Sequence, residues 1–321
     1  MSICMSVWKS WLLLGALLWA PAWAFAGAPA CPPAGQTQAS LLALKADGFR
    51  LKDEGRRDRL ALELLGCLAD PSPALRDGVA FEALSTWLRG KQLSAAVMKQ
   101  LVDALLVRVD QFNIASINQA PDAVGQPFDE FQTSFSMLVL SELARADRVG
   151  AYLDAAQRQH LVEAASTAVS RWRDYRGFDA QAGWRHGVAH GADLLMQLSL
   201  NPAVAQEALR KLVRAALSQV APPGEHFYIY GEGERLARAV LAACSRGLLT
   251  RADWRALFDE LVLSPRPLAS WNRAFESQTG LAKRHNTYQF LLFLHALIDL
   301  SPAPTNADLA QLVTTSLKQL P

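Results

Sequence analysis

The sequence predicts an all-α protein, and three observations carry that reading. Beyond residue 26 almost every apolar stretch repeats with helical period, while strand-type alternation bounded by turn residues is hard to find. Turns rich in Pro, Gly, Asn and Asp, such as Asp70-Pro71-Ser72-Pro73, Asn201-Pro202 and Ala221-Pro222-Pro223-Gly224, separate the periodic stretches. With 51% hydrophobic and 19% charged residues over 321 positions, the chain has the balance of a packed globular protein. Helices are expected over 37–48, 55–69, 74–89, 93–109, 128–146, 151–175, 181–199, 203–220, 233–246, 251–263, 281–300 and 305–319. Such a series, joined by short turns, reads as a right-handed stack of antiparallel helix pairs, a HEAT/armadillo-like α-solenoid. A closed α/α toroid is the alternative, because both use the same helical hairpin.

Taken in chain order, residues 1–26 read as a secretory signal peptide. Lys9 precedes the apolar run from Trp11 to Ala20, and Ala24-Phe25-Ala26 fits small-x-small cleavage. That run is shorter than the ~20 residues a spanning helix needs, so no stable membrane insertion is expected once the leader is gone. A periplasmic or secreted location follows, with residues 27–321 forming one domain. Export places Cys31, Cys67 and Cys244 in an oxidising compartment. Cys31 lies in a Pro-rich, irregular segment and is expected to pair with Cys67. Cys244 follows the apolar run 239–243 and reads as an inert buried thiol. Residues 68–84 look like the turn and second helix of a HEAT-type repeat, with an Asp/Pro turn followed by Arg76. The stretch 111–126 reads as a long excursion within one domain.

The chemistry-bearing stretch is 174–197. At about 100° per residue, His186, His190, Asp193 and Gln197 fall on one narrow polar stripe of an otherwise apolar helix, which should therefore line a groove or internal cleft. Two imidazoles four residues apart and a carboxylate three further on admit three readings. His186, His190 and Asp193 are a metal set, with zinc the obvious divalent ion; or an acid-base or ligand cleft; or a buried polar network. Gly183, Gly187 and Gly191 would allow another backbone to approach closely. Glu234 and Arg235 open a later helix, with Glu234 also placed to pair with Arg238. His285, Asn286 and Tyr288 lie on what reads as the polar first turn of a further helix, where its amides could meet an anion. Phosphate-cradling loops, dinucleotide fingerprints, Gly-x-Ser-x-Gly elbows and Cys-x-x-Cys pairs are absent from the sequence. A net charge of +2 disfavours nucleic acid as the main partner.

Tyr175-Arg176-Gly177-Phe178, Gly183-Trp184-x-His186-x-x-Ala189-His190-x-Ala192-Asp193, Gly233-Glu234-Arg235 and His285-Asn286-Thr287-Tyr288 together resemble a bacterial family known as domain of unknown function 2785. The resemblance spans about residues 70–300 and implies a helical, armadillo-like fold with no activity to transfer. Ala189-His190-Gly191 is also similar to the His-Gly step of the zinc-bearing lanthionine cyclases, but this chain lacks cysteines there. Two functions stay open. One is binding of a protein, peptide or glycan in a polar groove. The other is an envelope hydrolase or lyase with His186 or His190 as base, Asp193 orienting it and Arg176 stabilising negative charge. Trp184 and Tyr288 would then stack on substrate.

Overall fold

The computed structural model describes residues 30–118 and 131–321. The expected leader, its cleavage site and the second half of the excursion at 111–126 (residues 119–126) lie outside them. The described residues form thirteen α-helices and one two-stranded ribbon, so the chain is all-helical in class.

Local signals in the sequence explain most helix starts. Thr37 caps α1 (Gln38–Ala46) and Asp53 caps α2 (Glu54–Glu63), each side chain accepting from an otherwise unpaired first-turn amide. A 3-10 segment (Leu64–Ala69) carries Cys67, which is joined to Cys31 as expected. The bridge ties the N-terminal segment to this first helical unit. Pro73 opens α3 (Pro73–Leu75), which runs through a π segment (Arg76–Phe81) into α4 (Glu82–Arg89). Ser94 caps α5 (Ala95–Ala115), which absorbs five residues of the expected excursion. After α6 (Gln132–Val149), Asp154 and Gln157 form a reciprocal capping box at α7 (Ala155–Arg171).

The next segment departs from expectation. Instead of one helix over 181–199, Phe178–Asp179 and Gly183–Trp184 pair as a small antiparallel ribbon, and α8 (Gly187–Ser199) begins only after His186. Asp179 accepts from the amides of Gln181 and Ala182, closing the turn between the strands. The chain then forms α9 (Gln206–Ser218), α10 (Glu232–Cys244), α11 (Arg251–Leu261), α12 (Gln278–Leu300) and α13 (Ala307–Gln319).

Packing sorts these helices into two rows. Helices α4, α6, α8, α10 and α12 follow one another as neighbours, and α5, α7, α9, α11 and α13 do the same, with the rows cross-packed through α5–α6, α7–α8 and α9–α10. The apolar core fills the space between and within the rows. Arg76, fully buried, ties the Asp70–Pro73 turn to the ribbon. It donates to the carbonyls of Asp70 (3.0 Å) and Ala182 (2.7 Å) and lies 3.7 Å from the Phe131 ring centroid. None of the helices among the described residues is long and apolar enough to cross a membrane.

Candidate functional site

A cleft of about 650 Å³ crosses the first row of helices. Asp77 and Phe81 of the π segment, Arg89 of α4, Phe135 and Glu142 of α6, His190, Asp193 and Gln197 of α8, and Arg235 of α10 line it. Trp184, His186 and Tyr230 close one end. The expected polar stripe therefore shares one cavity, although its members arrive differently. His186 is not helical: it caps α8 in the left-handed region, with φ of 47°. Its carbonyl accepts from the His190 amide at 3.0 Å, so the four-residue spacing survives the helix start.

His190 is buried, and its protonation pattern follows from its partner. The Ser134 hydroxyl has one proton, which it donates to the Arg185 carbonyl at 2.5 Å. It therefore accepts from His190 Nδ1 at 2.8 Å, which puts the imidazole proton on Nδ1 and leaves Nε2 as the lone-pair nitrogen. The Phe135 ring meets the imidazole edge-on at 5.0 Å. Burial, reinforced by His186 and Arg235, holds the His190 pKa well below the usual imidazole range. Burial pushes His186 down to about 4, again with Arg235 contributing. Both histidines are thus neutral near pH 7. His186 stacks on Trp184 (4.8 Å, 26°), and Tyr230 meets Trp184 edge-on at 5.8 Å.

The charged side chains of the cleft come in opposite pairs. Asp193 is bound by Arg235, Glu142 by Arg89 in a two-point contact, and Asp77 by Arg76 at 2.7 Å. Burial raises the Asp193 carboxyl, with Arg235 opposing the shift. Behind His186 stands Glu232, 2% exposed, 4.0 Å from His186 Nε2, and raised by burial. Its Oε2 accepts from the Tyr230 amide at 3.0 Å, which sets the bend into α10.

This arrangement corrects several expectations. Among the described residues no group of three His, Cys, Asp or Glu side chains is placed to hold a metal ion, and the Asp193 carboxylate faces a guanidinium. His186, His190 and Asp193 are therefore not gathered as a zinc set. Arg176 does not line the cleft: it clasps the buried Asp174 through Nε (2.8 Å) and Nη2 (2.6 Å). Glu234 pairs with Arg238 on an exposed face. Because Ser277 caps α12 and the helix starts at Gln278, His285 sits two turns in and cannot form an N-terminal anion site. Asn286 instead clamps the loop before α10, accepting from the Tyr228 amide (2.8 Å) and donating to the His226 carbonyl (2.9 Å). His285 faces the Tyr228 carbonyl at 3.4 Å, and Tyr288 lies against Arg284. The small residues of α8 admit side chains rather than backbone, since Gly187 faces Trp172 and Gly191 faces Val169.

Sequence reasoning missed Ser134, Arg89, Glu142, Asp77 and Tyr230. Arg89 and Glu142 are 53 residues apart and Ser134 and His190 are 56 apart, so no local spacing announces them. Asp77, next to Arg76, and Tyr230, four residues before Glu234, had a neighbouring signal.

Comparison with the curated proteins and with solved structures yields no match. Residues 124–296 match the model of a family described as "Protein of unknown function (DUF2785)". The match begins well after the residue 70 expected from the motifs, leaving Asp77, Phe81 and Arg89 before it. It contains the ribbon, all of α8 and α10, and the histidine pair. Spanning more than half of the chain and carrying the core of the cleft, this match makes the chain a member of the DUF2785 family of proteins of unknown function.

Proposed function

We propose that this chain is an exported helical-repeat protein, one domain over residues 27–321, whose first-row face binds a small uncharged ligand rich in hydroxyl groups, such as a saccharide. The serial packing of two helix rows supports a HEAT/armadillo-like stack. Among the described residues α13 packs on α11 and α12 and not on α1 or α2, which favours an open stack over a toroid. The apolar leader and the Cys31–Cys67 bridge support export.

The observation that carries the ligand class is charge compensation. Each charged side chain lining the cleft has an opposite partner, and both histidines are neutral, so a charged ligand would have to break an existing pair. Paired guanidinium and carboxylate groups still offer donors and acceptors side by side, which suits vicinal hydroxyls. Trp184, 37% exposed, and Tyr230 offer aromatic surface for the apolar face of a ring.

Calorimetric titration of residues 27–321 with neutral oligosaccharides and their uronic-acid counterparts tests this. A neutral member should bind, and Trp184→Ala and Asp193→Asn should each weaken it by about tenfold or more. Tighter binding of the acidic counterparts, or no neutral ligand across the panel, would overturn the proposal. One observation favours a hydrolase or lyase instead: the fixed His190 tautomer leaves Nε2 able to accept a proton. A base held well below the usual imidazole pKa is weak near pH 7, so this reading ranks second; product release from a bound saccharide would promote it.

A further inference from the structure

A second cavity, of about 560 Å³, opens where the loop after α9 meets the loop after α11 and the start of α12. It shares no residue with the cleft. Pro222, Pro223 and Pro267 supply apolar walls, and Thr279, Lys283 and Arg266 supply the polar groups. Lys283 is the unusual member. It is only 8% exposed, yet its ammonium makes no hydrogen bond or ion pair with any described residue. Its one neighbour of note is the Trp271 ring, 5.4 Å away at the centroid, which is itself held by its indole N–H on the Leu263 carbonyl (2.7 Å).

A lysine this deeply set without a counter-charge is costly, and its Nζ keeps an opening rather than being sealed among apolar atoms, as its place on the cavity lining requires. Burial alone pushes the Lys283 pKa down to about 8, with no carboxylate offsetting it. Arg266, exposed at the rim, likewise has no acidic partner among the described residues. Two cations on an apolar cavity lack the anion that would neutralise them.

We infer that this cavity is a ligand site for a small organic monoanion, its carboxylate or sulfonate head held between Lys283 and Arg266 and its apolar body set against the prolines. The Lys283 ammonium, the Arg266 guanidinium and the Thr279 hydroxyl are the donors available. They suit a singly charged head, whereas a phosphate dianion in apolar walls would leave acceptor oxygens unpaired. The Trp271 ring backs the ammonium from outside the residues that line the cavity.

Benzoate and its neutral counterpart benzamide serve as probes. Calorimetry on residues 27–321 should show benzoate binding more tightly than benzamide, by about tenfold or more, and Lys283→Met should erase the difference. Acetic anhydride labelling of the unmodified protein, read by peptide mapping, gives an arm that no folding defect can blur. Benzoate should slow acylation of Lys283 while leaving exposed Lys91 unchanged, and benzamide should protect neither. Equal affinity for the two probes, or unprotected Lys283 at saturating benzoate, overturns the inference. Protection by inorganic phosphate but not by benzoate overturns it as well, since the site would then select a hydrated inorganic anion.

Discussion

Replacing Gly187 with alanine separates helix propensity from packing at the site, because the two predict opposite signs. Gly187 is the first residue of α8, and exchanging glycine for alanine in a helix is worth up to about 1 kcal/mol in favour of folding. Against that, a Cβ at 187 would lie 2.2 Å from two atoms of the Trp172 ring and 2.5 Å from its nitrogen. The ring has nowhere to go. Trp172 is 4% exposed, its indole N–H donates to the Asp174 carbonyl at 2.5 Å, and Phe112 packs on it at 5.3 Å. Overpacking of this kind costs about 1–3 kcal/mol, and displacing the indole adds about 1–3 kcal/mol for a buried hydrogen bond. The expected net loss is about 1–5 kcal/mol, centred near 3, or roughly 5 °C in melting temperature for a chain of this size. Gly233, second residue of α10, is the control: a Cβ there meets nothing closer than 3.6 Å, so Gly233→Ala should hold or raise the melt. Thermal unfolding followed by circular dichroism reads both. A Gly187→Ala protein that melts at or above the parent would refute the packing argument.

Two further perturbations follow from groups outside the cleft. Asp147, buried at the end of α6, accepts from the Tyr152 and Leu153 amides, from Asn201 and twice from Arg158. Removing it in Asp147→Ala should cost about 3–5 kcal/mol in urea unfolding, and a loss under 1 kcal/mol would contradict the network. These partners outweigh burial and lower the Asp147 pKa, so its contribution is present above the unfolded value of about 4 and fades as pH falls through the folded one. The acid limb of the stability profile should flatten in Asp147→Asn. For the disulfide, a separation of 36 residues corresponds to about 4 kcal/mol on the chain-entropy model. Urea unfolding with and without reductant should show a difference of that order, and superimposable curves would remove the bridge from the stability account.

Helices whose apolar periodicity is bounded by turn residues were legible in the sequence to within a few residues. Gln206–Ser218, Arg251–Leu261 and Ala307–Gln319 sit inside the expected spans because apolar periodicity and flanking turn residues agree there. The start of α8 was not, for a physical reason. Periodicity from Ala182 onward continues smoothly through Trp184 and Val188, but Gly183 at φ of 73° and His186 at 47° break the helical path that periodicity cannot see. The stripe still converged because capping geometry keeps His186 one turn from His190. What stayed hidden were the partners. Glu142 and Arg89 line the cleft, and Ser134 meets His190, only because α4, α6 and α8 stand side by side, which no local window shows.

Burial, with Arg235 beside it, makes the cleft sensitive to acid, and the sign can be worked out from His186. Its pKa falls from 6.5 to about 4 on folding, chiefly because burial disfavours the imidazolium. Between those values the unfolded chain binds a proton that the folded one does not, so stability must drop as pH falls from 6.5 towards 4. At about 1.36 kcal/mol per pH unit the drop attributable to His186 approaches 3 kcal/mol. His190, shifted in the same direction, adds to it. His186→Asn is the informative variant, because asparagine tolerates the left-handed backbone at 186 and does not titrate in this range. It should lower the melt at pH 7 through loss of the stacking on Trp184, yet lose less stability than the parent between pH 6.5 and 4.5. Histidine resonances followed by NMR give the direct reading. A His186 titration midpoint near 6.5, or parallel acid limbs for parent and variant, would mean that the imidazole is hydrated and that the cleft is not the desolvated, charge-compensated cavity on which the ligand class rests.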